Sequence, residues 1–301
     1  VSTGIHIITM EQTLNDQTAF LQACRRRLRR IVFFLIFISL IYSFFSNTLV
    51  SQLRGPVLTY PSTDLTYLLF HIIKLPEFIS GHPAIAVVFD SLMLLSCLGC
   101  LIYPRQRFPV FLFFFLFLVY LIIYNSYGLH HTHSKIGVLL LPVPFMIRDD
   151  KGFLLLWRGL RYYTCYIFFS AFLWKLFRGS WLTPDQGLLI MKNNLTPYLF
   201  FNPQTVLSRI YSWVFQHPAI PDLLFKAGFI AEGLFVVGFF TRRADKYLFV
   251  LTILLPLGFL FVADAMFFEL AFLSVTFYNW GLLSRENINR QQRPTGKNEK
   301  P

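Results

Sequence analysis

A lysine at the end of a long apolar segment is the residue with the clearest chemical potential. Tyr162 to Trp174 form an uncharged, aromatic-rich stretch that ends at Lys175, and Trp181 follows a short basic turn. An ionisable side chain at the edge of a membrane-spanning segment is costly to keep, which makes it a candidate for function. A lysine that is neutral in an apolar pocket acts as a base or a nucleophile. The alternative is that Lys175 extends its ammonium group to the membrane interface and does no chemistry.

A histidine cluster forms the second set of candidates. His130, His131 and His133 follow Asn125 in the same polar stretch. Imidazole binds Zn, Cu or Fe, but no cysteine or second histidine pair follows at the spacing of a metal site, so we predict no metal. Two interpretations stay open: the histidines are solvated or contact lipid headgroups, or one of them orients a substrate or exchanges a proton with it.

An acidic residue inside an apolar segment completes the set. Glu232 lies in the run AGFIAEGLFVVGFF, where a carboxylate needs a partner or a proton. A pair between Lys175 and Glu232 is therefore a hypothesis that a structure tests directly. Because polar groups in helix bundles often only hold helices together, we favour a structural ion pair, or a protonated carboxyl bonded to a backbone carbonyl, over a catalytic pair.

Composition identifies the elements that must position these residues. The chain is 55% hydrophobic and 18% aromatic, has a mean hydropathy of +0.55, and is only 14% charged. Soluble domains carry about 25% charged residues. A bilayer core about 30 Å thick takes roughly 20 helical residues to cross, and several apolar runs are that long. The sequence therefore predicts an all-α, polytopic integral membrane helix bundle.

We predict about eight membrane-spanning helices and two interfacial helices. The spans are Ile31 to Val50, Pro83 to Tyr103, Phe108 to Tyr124, Ile136 to Ile147, Arg161 to Lys175, Pro221 to Phe240, Tyr247 to Ala263 and Met266 to Leu283. The fourth contains Pro142 and Pro144, so we expect a tilted or half-buried piece inside the bundle. The interfacial helices are Leu65 to Leu75 and Gln186 to Phe201.

The distribution of basic residues predicts the orientation. With both termini cytoplasmic, 19 of the 27 Lys and Arg fall in cytoplasmic segments, as the positive-inside rule expects. The charge is then spread over short loops and the ends of the chain, which favours membrane lipids with anionic headgroups, and not nucleic acid, as its partner. Asn125, the histidine cluster and Lys175 would all lie on the exoplasmic side.

Three units follow from the same pattern. Residues 1–24 form an N-terminal cytoplasmic segment in which Met10 is an alternative start, residues 25–283 form the transmembrane domain, and the polar residues 284–301 form a disordered cytoplasmic tail.

Cys97 and Cys100 form a CxxC within the second span, without the strand-then-helix context of a redox site. We interpret them as small buried residues.

The segment around Lys175 resembles a known family. The stretch YIFFSAFLWKLFRGSWLTPDQG, residues 166–187, is similar to part of the membrane domain of vitamin K-dependent gamma-glutamyl carboxylases and of their bacterial relatives, the HTTM (horizontally transferred transmembrane) proteins. The shared features are an aromatic span ending in Lys-Leu, a nearby Trp and a Gly that opens an interfacial helix: Lys175, Leu176, Trp181 and Gly187. An Asn and a His before an apolar stretch ending in Phe-Met also fit: Asn125, His133, Phe145 and Met146. In span order and loop polarity the likeness covers roughly residues 25–283.

The resemblance implies a chemistry. In the carboxylases, the lysine that matches Lys175 deprotonates the hydroquinone of vitamin K, which is then oxygenated to an epoxide. The resemblance thus implies Lys175 as the general base, His133 as a supporting catalytic group and an isoprenoid quinol as the ligand. The candidate substrate-binding residues are Asn125, His130, Trp181 and Glu232.

The chain also departs from the carboxylases. The spacing from Lys175 through Trp181 to Gly187 is longer, Leu257 to Phe259 stand where the carboxylases carry a histidine, and only 18 residues follow the last predicted span in place of a lumenal domain. We therefore expect a quinol pocket without complete protein carboxylation. Two classes stay open: an enzyme acting on a lipid quinol at the exoplasmic face, or a non-catalytic subunit that docks into a larger membrane complex.

Overall fold

The computed structural model describes residues 2–53, 69, 72–126, 132–263 and 267–278, with side chains described from residue 19 onward except at 126 and 132–134. Within this part every regular element is a helix, as predicted, and no strand is present. The α-helices are α1 (Ser2–Phe45), α2 (Leu75–Gly81), α3 (Pro83–Ile102), α4 (Phe108–Ser126), α5 (Thr132–Leu140), α6 (Asp150–Phe177), α7 (Gln186–Phe201), α8 (Val206–Phe215), α9 (Ala219–Gly233), α10 (Val237–Phe240), α11 (Asp245–Ala263) and α12 (Phe268–Ala271). Short 3-10 helices lie at Val50–Gln52, Val143–Met146, Ser180–Leu182, Leu234–Val236 and Phe272–Thr276.

Five helical segments of the described chain are long and apolar enough to cross a membrane. They are Ala19–Gln52, Pro83–Ile102, Phe108–Asn125, Ala219–Phe240 and Asp245–Ala263. Large apolar side chains such as Phe34, Phe111 and Leu254 are exposed on the outer faces of these helices, as lipid contact requires. The protein is therefore a multi-pass α-helical membrane protein, and the first, second, third, sixth and seventh predicted spans each correspond to one of these segments.

The other three predicted spans have a different form. The fourth is divided into α5 and the 3-10 helix Val143–Met146, because the prolines interrupt the helical hydrogen bonds. The fifth lies within α6, a 28-residue helix whose first half carries charged residues. Of the eighth, the structure describes α12 and the 3-10 helix Phe272–Thr276, and the remainder lies outside the described residues.

The helix predicted at Gln186–Phe201 is present as α7, with the same ends, and its location at the membrane interface stays a prediction. Most of the other one, at residues 65–75, lies outside the described residues, as does the predicted tail at residues 284–301. Residues 2–24 belong to the same continuous helix as the first span. The bundle therefore has α1 extending beyond the apolar run at its N-terminal end.

Helix α6 joins two packed regions of the bundle. Its first half contributes Phe153 and Trp157 to a large core formed mainly by α1, α3, α4 and α5. Its second half contributes Cys165 and Phe168 to a smaller core with α9, α10 and α11. The cysteines of α3 and α6 are buried free thiols, so the interpretation of the CxxC as small buried residues is confirmed. The C-terminal half of α6, which carries Lys175, thus packs against the second region.

Candidate functional site

Lys175 and Glu232 form an ion pair between α6 and α9. The Lys175 ammonium donates to both carboxylate oxygens of Glu232, at 2.5 and 2.7 Å. The Glu232 side chain is only 1% exposed, whereas that of Lys175 is 28% exposed. The pair proposed from the sequence is confirmed, and its accessible partner is the lysine.

Aromatic residues one helical turn earlier align the two helices. Phe172 and Phe229 stack with their ring centroids 4.5 Å apart. Phe172 lies three residues before Lys175 on α6, and Phe229 lies three residues before Glu232 on α9, so each ring shares a helix face with the charged residue that follows it. Gly233 lies beside the Phe172 ring, where a Cβ would stand 3.0 Å from the ring carbons. The close approach at Gly233 therefore helps to set the short distance between the ammonium and the carboxylate.

An aromatic wall, formed by Phe225, Phe259 and Trp181, lies on one side of the ion pair. The Lys175 Nζ lies 5.9 Å from the ring centroid of Phe225 and 5.7 Å from that of Phe259. Trp181 stacks on Phe229 with a centroid distance of 6.1 Å and an interplanar angle of 4°. Trp181, a candidate binding residue from the sequence, therefore belongs to the aromatic cluster beside the ion pair.

The other predicted site residues have different surroundings. His130 lies outside the described residues, together with His131. Asn125 lies at the end of α4 and His133 lies on α5, and these helices pack against each other, with α5 also against α12. The Lys175 ammonium instead contacts Glu232 and lies near the rings of Phe225 on α9 and Phe259 on α11.

A second buried ion pair lies beside α5. The Lys135 ammonium donates to Glu269 at 3.0 Å, and the side chains of this pair are 6% and 2% exposed. Lys135 also donates to Ser43 Oγ at 3.4 Å and lies 5.1 Å from the Tyr124 ring centroid. Sequence reasoning missed Lys135, although it borders an apolar run just as Lys175 does.

A third ion pair fastens α6 to the turn between α10 and α11. The Arg161 Nε donates to both carboxylate oxygens of Asp245 at 3.1 Å, and Nη1 and Nη2 donate to the carbonyls of Gly238 and Thr241 at 2.8 and 3.0 Å. Every nitrogen of the guanidinium has a partner. The sequence placed Arg161 only at the start of the fifth predicted span, whereas its geometry is that of a structural clamp.

No group of three or more His, Cys, Asp or Glu among the described residues could hold a metal ion. Comparison of the chain with models of known families, with curated proteins and with solved structures gave no match. The carboxylase-like resemblance therefore stays a prediction. The site with the geometry for chemistry is the Lys175–Glu232 pair, since one side of it is open and the other is buried among aromatic rings.

Proposed function

We propose that the protein binds a lipid quinol at the exoplasmic face of the membrane and that Lys175 acts on it as a base. The observation that carries this proposal is the unequal exposure of the pair, in which Glu232 is buried and Lys175 is 28% exposed. A ligand that approaches from the open side meets the lysine and not the carboxylate.

Glu232 makes the base chemistry of Lys175 feasible. Apolar surroundings disfavour the charged forms of both an amine and a carboxylic acid. Transfer of the lysine proton to the carboxylate across the 2.5 Å contact gives a neutral amine beside a neutral acid. The amine then accepts the proton of a quinol hydroxyl, and the resulting quinolate is stabilised by the lysinium.

The aromatic wall supports a flat, apolar ligand. The rings of Phe225, Phe259 and Trp181 offer stacking and edge contacts to an aromatic head group. An isoprenoid chain could extend from the open side along the apolar outer surface of the bundle. This combination favours a lipid quinol over a water-soluble substrate.

The proposal includes eight spans with both termini cytoplasmic. Arg29 donates to the carbonyl of Pro104, and Arg25 pairs with Asp150, so three segments predicted as cytoplasmic meet at one end of the bundle. Lys175 lies at the opposite end of α6, which at 28 residues is about 42 Å long. That length exceeds the roughly 30 Å of a bilayer core and supports an exoplasmic location for Lys175.

The test uses the purified full-length protein in lipid nanodiscs with a short-chain menaquinol as the probe. Binding is measured by quenching of tryptophan fluorescence, with Trp181→Phe identifying the contribution of Trp181. Turnover is measured as quinol-dependent oxygen uptake, because dissolved O2 is the oxidant that reacts with the quinolate once Lys175 has taken its proton. Lys175→Ala is expected to lower oxygen uptake roughly a hundredfold, the usual range for a lost general base. Lys192→Ala, an exposed lysine on α7, is the matched control and should retain the wild-type rate.

The outcomes separate the two functional classes. A folded Lys175→Ala protein with the full rate contradicts the role of Lys175 as a base. Binding without any oxygen uptake by the wild type keeps the quinol site and removes the catalytic step. If the wild type neither binds the probe nor consumes oxygen, the proposal fails, and a non-catalytic subunit of a membrane complex becomes the better description.

A further inference from the structure

A basic pocket lies at the end of the bundle opposite Lys175. It has a volume of about 410 Å³ and is formed by α1, the loop between α3 and α4, and the segment that leads into α6. Its arginines are Arg25, Arg26, Arg29, Arg105, Arg107 and Arg148. Two aspartates, Asp149 and Asp150, also line it, so six positive and two negative charges leave a formal charge of +4.

The two aspartates already have partners within the protein. Asp149 caps α6 and accepts a hydrogen bond from the Gly152 amide at 2.6 Å. Asp150 pairs with Arg25 at 3.2 Å, and Arg25 also donates to the carbonyls of Arg148 and Ile147. Within the described part of the chain, no ion pair is present for the other five arginines of the pocket.

Arg29 carries the strongest evidence for a missing counter-charge. It is only 3% exposed, and its Nη1 donates to the Pro104 carbonyl at 3.1 Å. Its Nε and Nη2 are buried and have no hydrogen-bond partner among the described residues, although the Cys100 thiol faces the guanidinium. Both nitrogens are closed to solvent, so an anion in the pocket offsets the charge of Arg29 from nearby and does not bond to them. A buried guanidinium is unfavourable without such a counter-charge.

The other arginines of the pocket add uncompensated positive charge. Arg25 lies within electrostatic reach of both Arg29 and Arg107, so the cations repel one another. The planar guanidinium forms paired hydrogen bonds with phosphate oxygens, and arginine clusters are a common means of phosphate recognition. Small-molecule pockets measure about 300 to 1,000 Å³, so a cavity of about 410 Å³ accommodates a phosphate group with a small substituent.

We propose that this pocket binds a phosphate-bearing anion, whose charge completes the arginine cluster. The phosphate belongs either to the headgroup of an anionic phospholipid or to a soluble phosphate compound. The pocket is adjacent to the ends of apolar helices, where Phe145 and Pro104 form apolar parts of its lining. Headgroups and soluble anions can both reach such a position, and the same site chemistry serves either.

The experiment measures binding to the full-length protein in detergent with three probes: short-chain phosphatidylglycerol, short-chain phosphatidylcholine and inorganic phosphate. Bound lipid is counted by native mass spectrometry, and phosphate binding is followed by the shift in thermal unfolding. The variant Arg26→Gln with Arg107→Gln removes two partly exposed pocket arginines. The control Arg27→Gln with Arg30→Gln removes the same charge from exposed positions of α1 outside the pocket.

Each basic residue near an anionic surface contributes about 1 kcal/mol, or about fivefold in affinity. We therefore expect the pocket variant to bind phosphatidylglycerol roughly thirtyfold more weakly and the control to change it by less than about twofold. Binding of phosphatidylglycerol without an effect of inorganic phosphate identifies a lipid site, and stabilisation by inorganic phosphate identifies a site for the phosphate group itself.

Equal weakening in the pocket and control variants overturns the proposal, because general surface charge would then explain the binding. Binding of phosphatidylcholine as tight as that of phosphatidylglycerol also overturns it. If the double variant Arg26→Gln with Arg107→Gln does not fold, the double variant Arg105→Gln with Arg148→Gln tests the same pocket, because both of these arginines are exposed. None of these variants touches the Lys175 site, so this test is independent of the proposed quinol function.

Discussion

At the scale of single residues, the three buried ion pairs differ in how far their side chains are exposed to solvent. Arg161 uses all of its nitrogens on Asp245 and two carbonyls, and Lys135 and Glu269 are both enclosed. Only Lys175 combines a fully buried partner with a side chain that is 28% exposed. Charged pairs that are closed on all sides act mainly in packing, whereas this one has a side from which a ligand could reach it.

Because Glu232 is buried and Lys175 is partly exposed, substituting the lysine should cost more stability than substituting the glutamate. Lys175→Met leaves the Glu232 carboxylate buried without a cation, which costs about 3 kcal/mol of stability. Glu232→Gln leaves a lysine that can bend toward the exposed side, at a cost of about 1 kcal/mol. The double variant is expected to be close to the wild type in stability, because both charges are removed together.

Thermal unfolding of the four purified proteins measures these differences as a double-mutant cycle. The prediction would be falsified by equal costs of the two single variants, or by a double variant whose loss equals the sum of the single losses.

The geometry of Arg161 predicts that lysine cannot replace it. A lysine has a single nitrogen and cannot reach Asp245 together with the carbonyls of Gly238 and Thr241. Arg161→Lys therefore leaves buried acceptors unpaired and should lower the stability of the protein by about 2 to 4 kcal/mol. Arg243→Lys, at an exposed position of the same turn, should change it by less than about 0.5 kcal/mol. A loss of the same size in both variants, measured by thermal unfolding, would contradict the clamp.

At the scale of elements, local signals predicted the helices and only some of the contacts between them. The ends of α3, α4 and α7 followed from the length of apolar runs and from the prolines and polar residues that flank them. The Lys175–Glu232 pair was also within reach of the sequence, because both charges stand out against apolar surroundings. The Lys135–Glu269 pair joins residues 134 positions apart and depends on the packing of α5 on α12, which no local pattern specifies.

The packing of α7 on α9 includes one very close contact. Gly187, at the start of α7, lies against the backbone of Pro221 on α9, so an added Cβ would overlap the Pro221 carbonyl. Gly187→Ala should force the two helices apart and cost about 1 to 3 kcal/mol of stability. Thermal unfolding measures the loss, and tryptophan fluorescence reports whether the environment of Trp181 changes with it.

Gly159, inside α6, offers the matched control for this prediction. An added Cβ there meets no atom within 4 Å. Gly159→Ala should therefore be neutral or stabilise the helix by up to about 1 kcal/mol. A Gly187→Ala protein as stable as Gly159→Ala would show that the contact between α7 and α9 is not needed for the fold.

At the scale of the whole molecule, the arginine cluster and the Lys175–Glu232 pair lie at opposite ends of the bundle. One end gathers the arginine pocket around Arg25 and Arg29, and the opposite end of α6 carries Lys175 and leads into Trp181. A basic end favours retention on the cytoplasmic side during insertion. The two proposed sites would therefore face different compartments, with the phosphate-binding pocket cytoplasmic and the quinol site exoplasmic.

This arrangement predicts which loops react from which side of the membrane. In a variant whose four native cysteines are replaced by serine or alanine, a single cysteine is introduced at Gln106 or at Thr183, both exposed in the structure. A membrane-impermeant maleimide added to intact cells should label the Thr183→Cys protein, because this loop follows the Lys175 end of α6. It should label the Gln106→Cys protein only after the membrane is opened, because Gln106 lies beside the arginine pocket. Labelling of both positions in intact cells would rule out the eight-span topology, and the reverse pattern would place the Lys175 site on the cytoplasmic side.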